Sequence, residues 1–242
     1  MKLNIVHLFP ELMSLYGEYA NLAVLRRRLE AVGAEVCITA VGCDDIPDFS
    51  EADMIYMGAG TERSLHFALQ RLLPHAASLK SAAENGALIL FTGNAMTALG
   101  ASVTDAGGVC RDALALADFV TEESEKRIGA DVIASPALWQ ESAVGFMNKC
   151  SVTRGITTPL FSALPLGFGN ERENGAEGYA NGNVFATHIT GPILAKNPAF
   201  TDLIIKRLFE AKNLQAPEKL PRLPHEQEAY EVTLRELQAR VK

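Results

Sequence analysis

Three features of this sequence point to a three-layer α/β domain with a mostly parallel sheet. Strand-length apolar runs alternate with helical patterns through the first hundred or so residues. One run, Ala87-Leu88-Ile89-Leu90-Phe91, is apolar at every position, as expected of a central strand buried on both faces. Glycine-containing turns, Gly58-Ala59-Gly60 and Thr92-Gly93-Asn94, stand where strands hand over to helices. Such strand–helix–strand units close with right-handed crossovers.

In chain order, residues 3–8 are apolar and β-prone. A helical pattern follows, with Leu12, Leu15, Tyr19, Leu22, Leu25, Leu29 and Val32 at three- or four-residue spacing and Gly33 as its stop. Arg26, Arg27 and Arg28 lie near the end of that pattern, where cations suit the helix dipole, so they are read as structural rather than as a ligand site. Glu35–Val41 and Asp53–Met57 are the next strands. A helix is expected from about residue 62 to Asn85, closed by Gly86, and a short helical segment from Asn94 to Leu99-Gly100. The stretch from Ala101 to about Asn183 is rich in Gly, Ser, Thr and Asn, with strand candidates near Arg127–Ala134, Val144–Met147 and Leu164–Phe168. It is read as an insertion of antiparallel strands and loops, not as a second domain. A strand at Asn183–Ile189 and a helix at about Ala199–Lys212 complete the α/β pattern. The expected organisation is one domain over residues 1–213, then a polar, proline-bearing linker and an amphipathic C-terminal helix over 214–242.

Hydrophobic residues make up 48% of the chain, enough for a sizeable core, and the net charge of −7 argues against a phosphate-dominated nucleic-acid surface. Cys37, Cys43, Cys110 and Cys150 form no CxxC pair and no metal-like spacing with histidine, so they are expected to be free thiols and no metal is expected. No signal-peptide core and no bilayer-spanning run is present, which makes a cytoplasmic location the expectation.

In open parallel sheets, sites form at the C-terminal ends of strands. Gly58 and Gly60 could aim backbone N–H groups at an anion or oxyanion; read plainly, the segment is a strand-to-helix turn, and it lacks the third glycine of a dinucleotide fingerprint. No cofactor is therefore expected. Phe91-Thr92-Gly93-Asn94 has the outline of a nucleophile elbow, yet its apex is a glycine with nothing to attack with. His188, in the last strand, is read first as a core histidine and second as a base. Glu173 and Glu177, in the glycine-rich loop Asn170–Asn183, are read as solvated carboxylates.

His7 to Asn21, Leu25-Arg26-Arg27-Arg28-Leu29, Gly58-Ala59-Gly60-Thr61-Glu62-Arg63, Arg127-Ile128-Gly129, Val144 to Asn148, Leu166 to Asn170 and Thr187 to Pro192 together resemble class I glutamine amidotransferases, in the cobyric-acid-synthase-like branch. Within it, they resemble most the glutaminase subunits of lipid II isoglutaminyl synthases. The resemblance spans residues 3–212 and implies a flavodoxin-like fold, a glutamine pocket, an elbow cysteine and a histidine base. It also implies a Mur-ligase-like partner that uses the released ammonia on lipid II, and a substrate-contacting arginine at Arg127.

The sequence departs from that family where the chemistry lies. Aligned on Leu99-Gly100, the cysteine position carries Gly93, and the histidine position before Gly191-Pro192 carries Thr190. The reading that follows is a glutaminase-fold subunit without glutaminase activity, its remaining binding residues being Arg127, Gly58, Gly60 and Asn94. His188, two residues from Thr190, is the substitute base if the strand stays extended. Two alternatives stand beside it. One is an active amidotransferase with a relocated nucleophile, Cys110 or Cys150; the other is a sensor that binds glutamine or a related amino acid without turning it over.

Overall fold

A computed structural model describes residues 1–241. Strands β1 (Lys2–Leu8), β2 (Glu35–Val41), β3 (Met54–Met57), β4 (Leu88–Thr92), β10 (Tyr179–Asn181) and β11 (Val184–Thr187) form a six-stranded sheet in the order β10-β11-β4-β3-β1-β2. Every neighbouring pair is parallel except β10 with β11. The central strands alternate between two cores. Met54, Tyr56, Leu88 and Leu90 face α1 (Tyr19–Ala31) and α5 (Pro198–Ala211). Ile55, Met57, Ile89 and Phe91 face α2 (Glu62–Leu72) and α3 (Ala76–Glu84). Three layers result, as expected from the all-apolar run.

The insertion is a second sheet. Strands β5 (Ser102–Thr104), β6 (Cys110–Asp112), β7 (Val120–Pro136) and β8 (Ala143–Arg154) lie in the order β6-β5-β7-β8, with β9 (Phe161–Leu166) also on β7. All pairs are antiparallel save β5 with β7. Its strands run well beyond the short candidates read from sequence, because β7 and β8 pair across a bulge between Glu123 and Ile128 that charged residues had masked. A bridge from Phe146 to Thr190 ties β8 to the segment after β11.

Two helical expectations need correcting. The pattern from Leu12 is not helix until Tyr19: Phe9, Tyr16 and Gly17 have positive φ (48°, 59° and 76°), so residues 9–17 fold as a loop with one 3₁₀ turn. The helix expected over 62–85 is broken at Pro74, which removes a backbone donor, and α3 restarts at Ala76.

The arginine run also has another role than dipole compensation. The Arg28 side chain is fully buried, pairing with Asp202 and, at 3.3 Å, with Glu226, and donating to the carbonyls of Pro198 (3.1 Å) and Pro221 (3.0 Å). It ties the tail to the body. Leu220 joins the core, and α6 (Glu226–Gln238) packs Tyr230 and Leu237 against Ile133 and Val144. Arg28→Ala strands a nearly buried carboxylate, so we expect a loss of about 3–5 kcal/mol. Limited proteolysis between Pro217 and Pro224 should accelerate sharply, and an unchanged cleavage rate would refute the anchor.

Candidate active site

The ends of β3, β4 and β11 meet over the sheet, and the residues there come from the segments singled out by sequence. After β4 the chain turns at Gly93 into a 3₁₀ helix, Gly93–Leu99. Gly93 has φ of 62°, the left-handed conformation of an elbow apex. The backbone of an elbow is therefore present. The space in front of it is not: a Cβ built on Gly93 falls inside van der Waals contact of the Ala59 methyl and 3.1 Å from Ala59 Cα. The Gly60 N–H donates to Asn94 Oδ1 at 2.9 Å, so that donor is taken up within the chain. Asn94 Nδ2 is buried with no hydrogen-bond partner among the described residues. At Gly58 a Cβ would sit 2.6 Å from the Met13 carbonyl oxygen, so glycine there lets the residue 9–18 loop lie on the strand end.

That loop delivers Glu18, which is fully buried. Thr92 donates its hydroxyl to Oε2 and Thr190 donates to Oε1. Asn21 Nδ2 donates to Oε2 at 3.2 Å, the Gly191 N–H to Oε1 at 3.3 Å, and the Tyr56 hydroxyl lies 3.0 Å from Oε2. Burial raises the Glu18 pKa, and the bonds from Thr190, Thr92, Tyr56 and Gly191 pull it back. A side chain of the protein itself thus fills the chamber between the elbow and the Thr190 position. Sequence reading missed Glu18, Asn21 and Tyr56; the only sign for Glu18 and Asn21 was their place within the family-like segment His7 to Asn21, and Tyr56 was hidden inside an apolar strand.

Arg127 lies at the rim, on β7. Its guanidinium donates to Glu62 Oε2 at 2.7 Å and to Asn148 Oδ1 at 3.2 Å, and Asn148 Nδ2 donates to the Tyr16 hydroxyl at 2.6 Å. Burial alone would raise the Glu62 pKa, but the Arg127 hydrogen bond and charge, together with the Glu62 backbone N–H and Cys150, outweigh it and the net shift is downward. Glu62 also accepts from Cys150 Sγ at 3.4 Å. Burial first, then the Glu62 carboxylate, push the Cys150 thiol up to about 11. That is the reverse of an activated nucleophile. Glu62→Gln should lower this pKa and speed thiol labelling of Cys150 several-fold near pH 8; an unchanged rate against a Cys150→Ser control would refute the coupling. Cys110 is exposed on β6, the outer strand of the second sheet.

His188 belongs to a different cluster. β11 stops at Thr187 and the chain bends at His188, so strand alternation does not carry through to Thr190. His188 Nδ1 lies 3.2 Å from Glu177 Oε1 and Nε2 lies 3.5 Å from Ser151 Oγ. Glu177, expected to be solvated, is fully buried: it accepts from the His188 N–H at 2.7 Å and from Thr187 Oγ1 at 2.6 Å, because its glycine-rich loop folds in under β11 rather than out. Lys149 is buried alongside, donating to the Gly169 carbonyl at 2.6 Å, and burial takes its pKa down to about 8. Burial, then Lys149, lower the His188 pKa. Ser151 and Lys149 alternate with Cys150 along β8, so this cluster sits on the face away from Glu62 and Arg127.

Comparison with known proteins gives consistent results. Residues 4–198 match the CobB/CobQ-like glutamine amidotransferase domain. The subunit GatD of the glutamine-hydrolysing lipid II isoglutaminyl synthase of Staphylococcus aureus (strain N315) is 28% identical over 216 residues, covering 88% of this chain and 87% of that protein. The subunit of the same name from Streptococcus pneumoniae (strain ATCC BAA-255 / R6) is 27% identical over 202 residues, covering 81% and 76%. Among solved structures, a glutamine amidotransferase aligns with a TM-score of 0.52 at 11% identity, covering 84% of this chain and 98% of that one. A glutamine amidotransferase from Thermotoga maritima aligns with a TM-score of 0.51 at 10% identity, covering 99% and 97%. At such identities the two structures speak for the fold alone.

Proposed function

The chain belongs to the CobB/CobQ-like glutamine amidotransferase family, and on that footing we propose that it is a GatD-like subunit that does not itself hydrolyse glutamine. The observation that carries this reading is the state of the elbow. Its apex is Gly93, and the volume a side chain would need there holds the Ala59 methyl. Amide hydrolysis through a thioester needs a thiolate at that point, a base beside it and free backbone donors for the oxyanion. Here the thiol is missing, the base position holds Thr190 bound to Glu18, and the Gly60 N–H is held by Asn94. At the rim, Glu62 occupies Arg127 much as a ligand carboxylate would.

The role left to such a subunit is to dock on and shape a partner. Both GatD relatives are named as subunits of lipid II isoglutaminyl synthase, which supports a partner subunit of that synthase; that this partner is of Mur-ligase type and that the pair works in the cytoplasm is the reading the sequence resemblance adds. Among the described residues no helix is long and apolar enough to cross a membrane. Ammonia release from glutamine, measured with the purified protein alone and with its synthase partner, is expected to stay at background. Turnover that survives replacement of Cys110 and Cys150 would defeat the proposal.

A second reading, amino-acid binding without turnover, draws on the buried unpartnered Asn94 Nδ2, a donor still short of an acceptor. Titration calorimetry with millimolar glutamine separates it from the docking role: saturable heat, lost in Asn94→Ala, supports it, and the absence of heat removes it.

A further inference from the structure

We propose that the groove between α1 and the edge strand β2 is a binding site for a small molecule carrying an anionic group on a flat ring. This goes beyond the subunit role and stands whether or not the elbow is active. The groove is an open one of about 580 Å³, a volume within the range of small-ligand pockets. Tyr19, Leu22, Ala23, Arg26, Arg27 and Glu30 line one wall, all from α1, and Arg26 neutralises the Glu30 carboxylate. Ile38 of β2 lies opposite, His7 of β1 lies at the inner end, and Leu223 closes it from the tail.

Each wall has a chemical character. Tyr19 is 66% exposed, offering a ring face on which a planar group stacks. Arg27 has no ion pair among the described residues, whereas Arg26 is held by Glu30 at 2.7 Å. A free guanidinium on a chain of net charge −7 is a fork for carboxylate or phosphate. Ala23 and Ile38 supply apolar surface between ring and anion, over the buried Leu22. His7 is only 8% exposed, and its Nε2 is buried with no partner among the described residues. Burial lowers its pKa to about 4, so the imidazole is neutral. Its ring lies against Tyr56, centroids 5.3 Å apart, so the inner end of the groove adjoins the Glu18 network.

The outer wall is fixed rather than loose. The Leu223 N–H donates to Glu226 Oε2 at 2.8 Å, and Arg28 holds the other oxygen of that carboxylate at 3.3 Å. Residue 223 lies outside the 4–198 span that matches the family, so this wall is added to the shared domain by the tail.

The test is a titration followed by heat and by the His7 ring resonances, the set missing from the His7→Gln spectrum. The panel is adenosine and uridine 5′-monophosphates, pyridoxal 5′-phosphate and 4-hydroxybenzoate, with adenosine and inorganic phosphate as controls. At least one ring-bearing anion is expected to bind saturably and to move the His7 signals. Arg27→Ala and Tyr19→Ala, both surface changes, are each expected to weaken it about tenfold. Three results overturn the proposal: no panel member binds at millimolar concentration, inorganic phosphate binds as tightly as the best ring-bearing anion, or affinity is unchanged in Arg27→Ala.

Discussion

Gly93→Cys is expected to destabilise the protein by about 2 kcal/mol or more, and the Gly93→Cys, Thr190→His protein is expected to release no ammonia from glutamine. Two costs add. Holding a non-glycine residue at φ of 62° costs about 1–3 kcal/mol unless its surroundings are built for it. The new Cβ must also displace Ala59, whose Cβ and Cα lie in its path. The second cost belongs to the pair, so a double-mutant cycle exposes it. Ala59→Gly in the Gly93→Cys background should recover about 1 kcal/mol or more that Ala59→Gly alone does not provide. Urea denaturation of the four proteins measures this. Full stability of Gly93→Cys by itself, with its thiol open to alkylation, would show that the elbow is not obstructed. Histidine at 190 brings a further loss, since the Thr190 hydroxyl is one of the donors that hold Glu18.

Replacing Glu18 has the next largest effect. Glu18→Ala leaves the buried Thr190 hydroxyl without its acceptor and takes one bond each from Thr92 and Asn21, which keep the Tyr56 hydroxyl, and we expect a loss of about 2–4 kcal/mol. Glu18→Gln keeps one carbonyl oxygen, and the hydroxyls can turn to accept from its amide, so its cost is smaller and depends on pH. Burial raises the folded-state pKa of Glu18 above the usual 4.5, so the folded protein binds that proton more tightly than the unfolded chain. The contribution of Glu18 is therefore fully present below the unfolded pKa and is lost as pH rises through the raised value. Measured by urea midpoints from acidic to neutral pH, the parent should lose ground relative to Glu18→Gln as pH rises. A difference between the two that is flat across that range would show that the carboxylate does not titrate in the network as described.

Much of the scaffold was legible in the residues, and the limits of that legibility have physical causes. The parallel strands announced themselves because Ala87–Phe91 and Asp53–Met57 carry apolar side chains on both faces, which only a covered sheet accommodates. Pro74 was also legible as a helix breaker and should have divided the helix expected over residues 62–85. The start of α1 was not. Leucines at 12 and 15 keep helical spacing, but the positive φ at Phe9 and Tyr16 comes from laying this loop on Gly58 and Gly60, some forty residues along the chain. Glu177 shows the same limit for charge. A carboxylate in a glycine-rich loop reads as solvated until the groups that bury it, His188 and Thr187 among them, are brought in by the fold.

Residue chemistry alone establishes that no thiol stands at the elbow apex and no imidazole at position 190, since identity at a position needs no coordinates. Family resemblance and a mostly parallel sheet follow from pattern in the same way, whereas the order of the strands in that sheet came only with the structure. What occupies the site was decided by packing at long range: Ala59 over Gly93, Glu18 beneath Thr190 from 172 residues away, and Arg28 drawing the tail onto the body. Burial and hydrogen-bond satisfaction are properties of the assembled chain, and they turned an empty elbow into a closed, self-filled chamber.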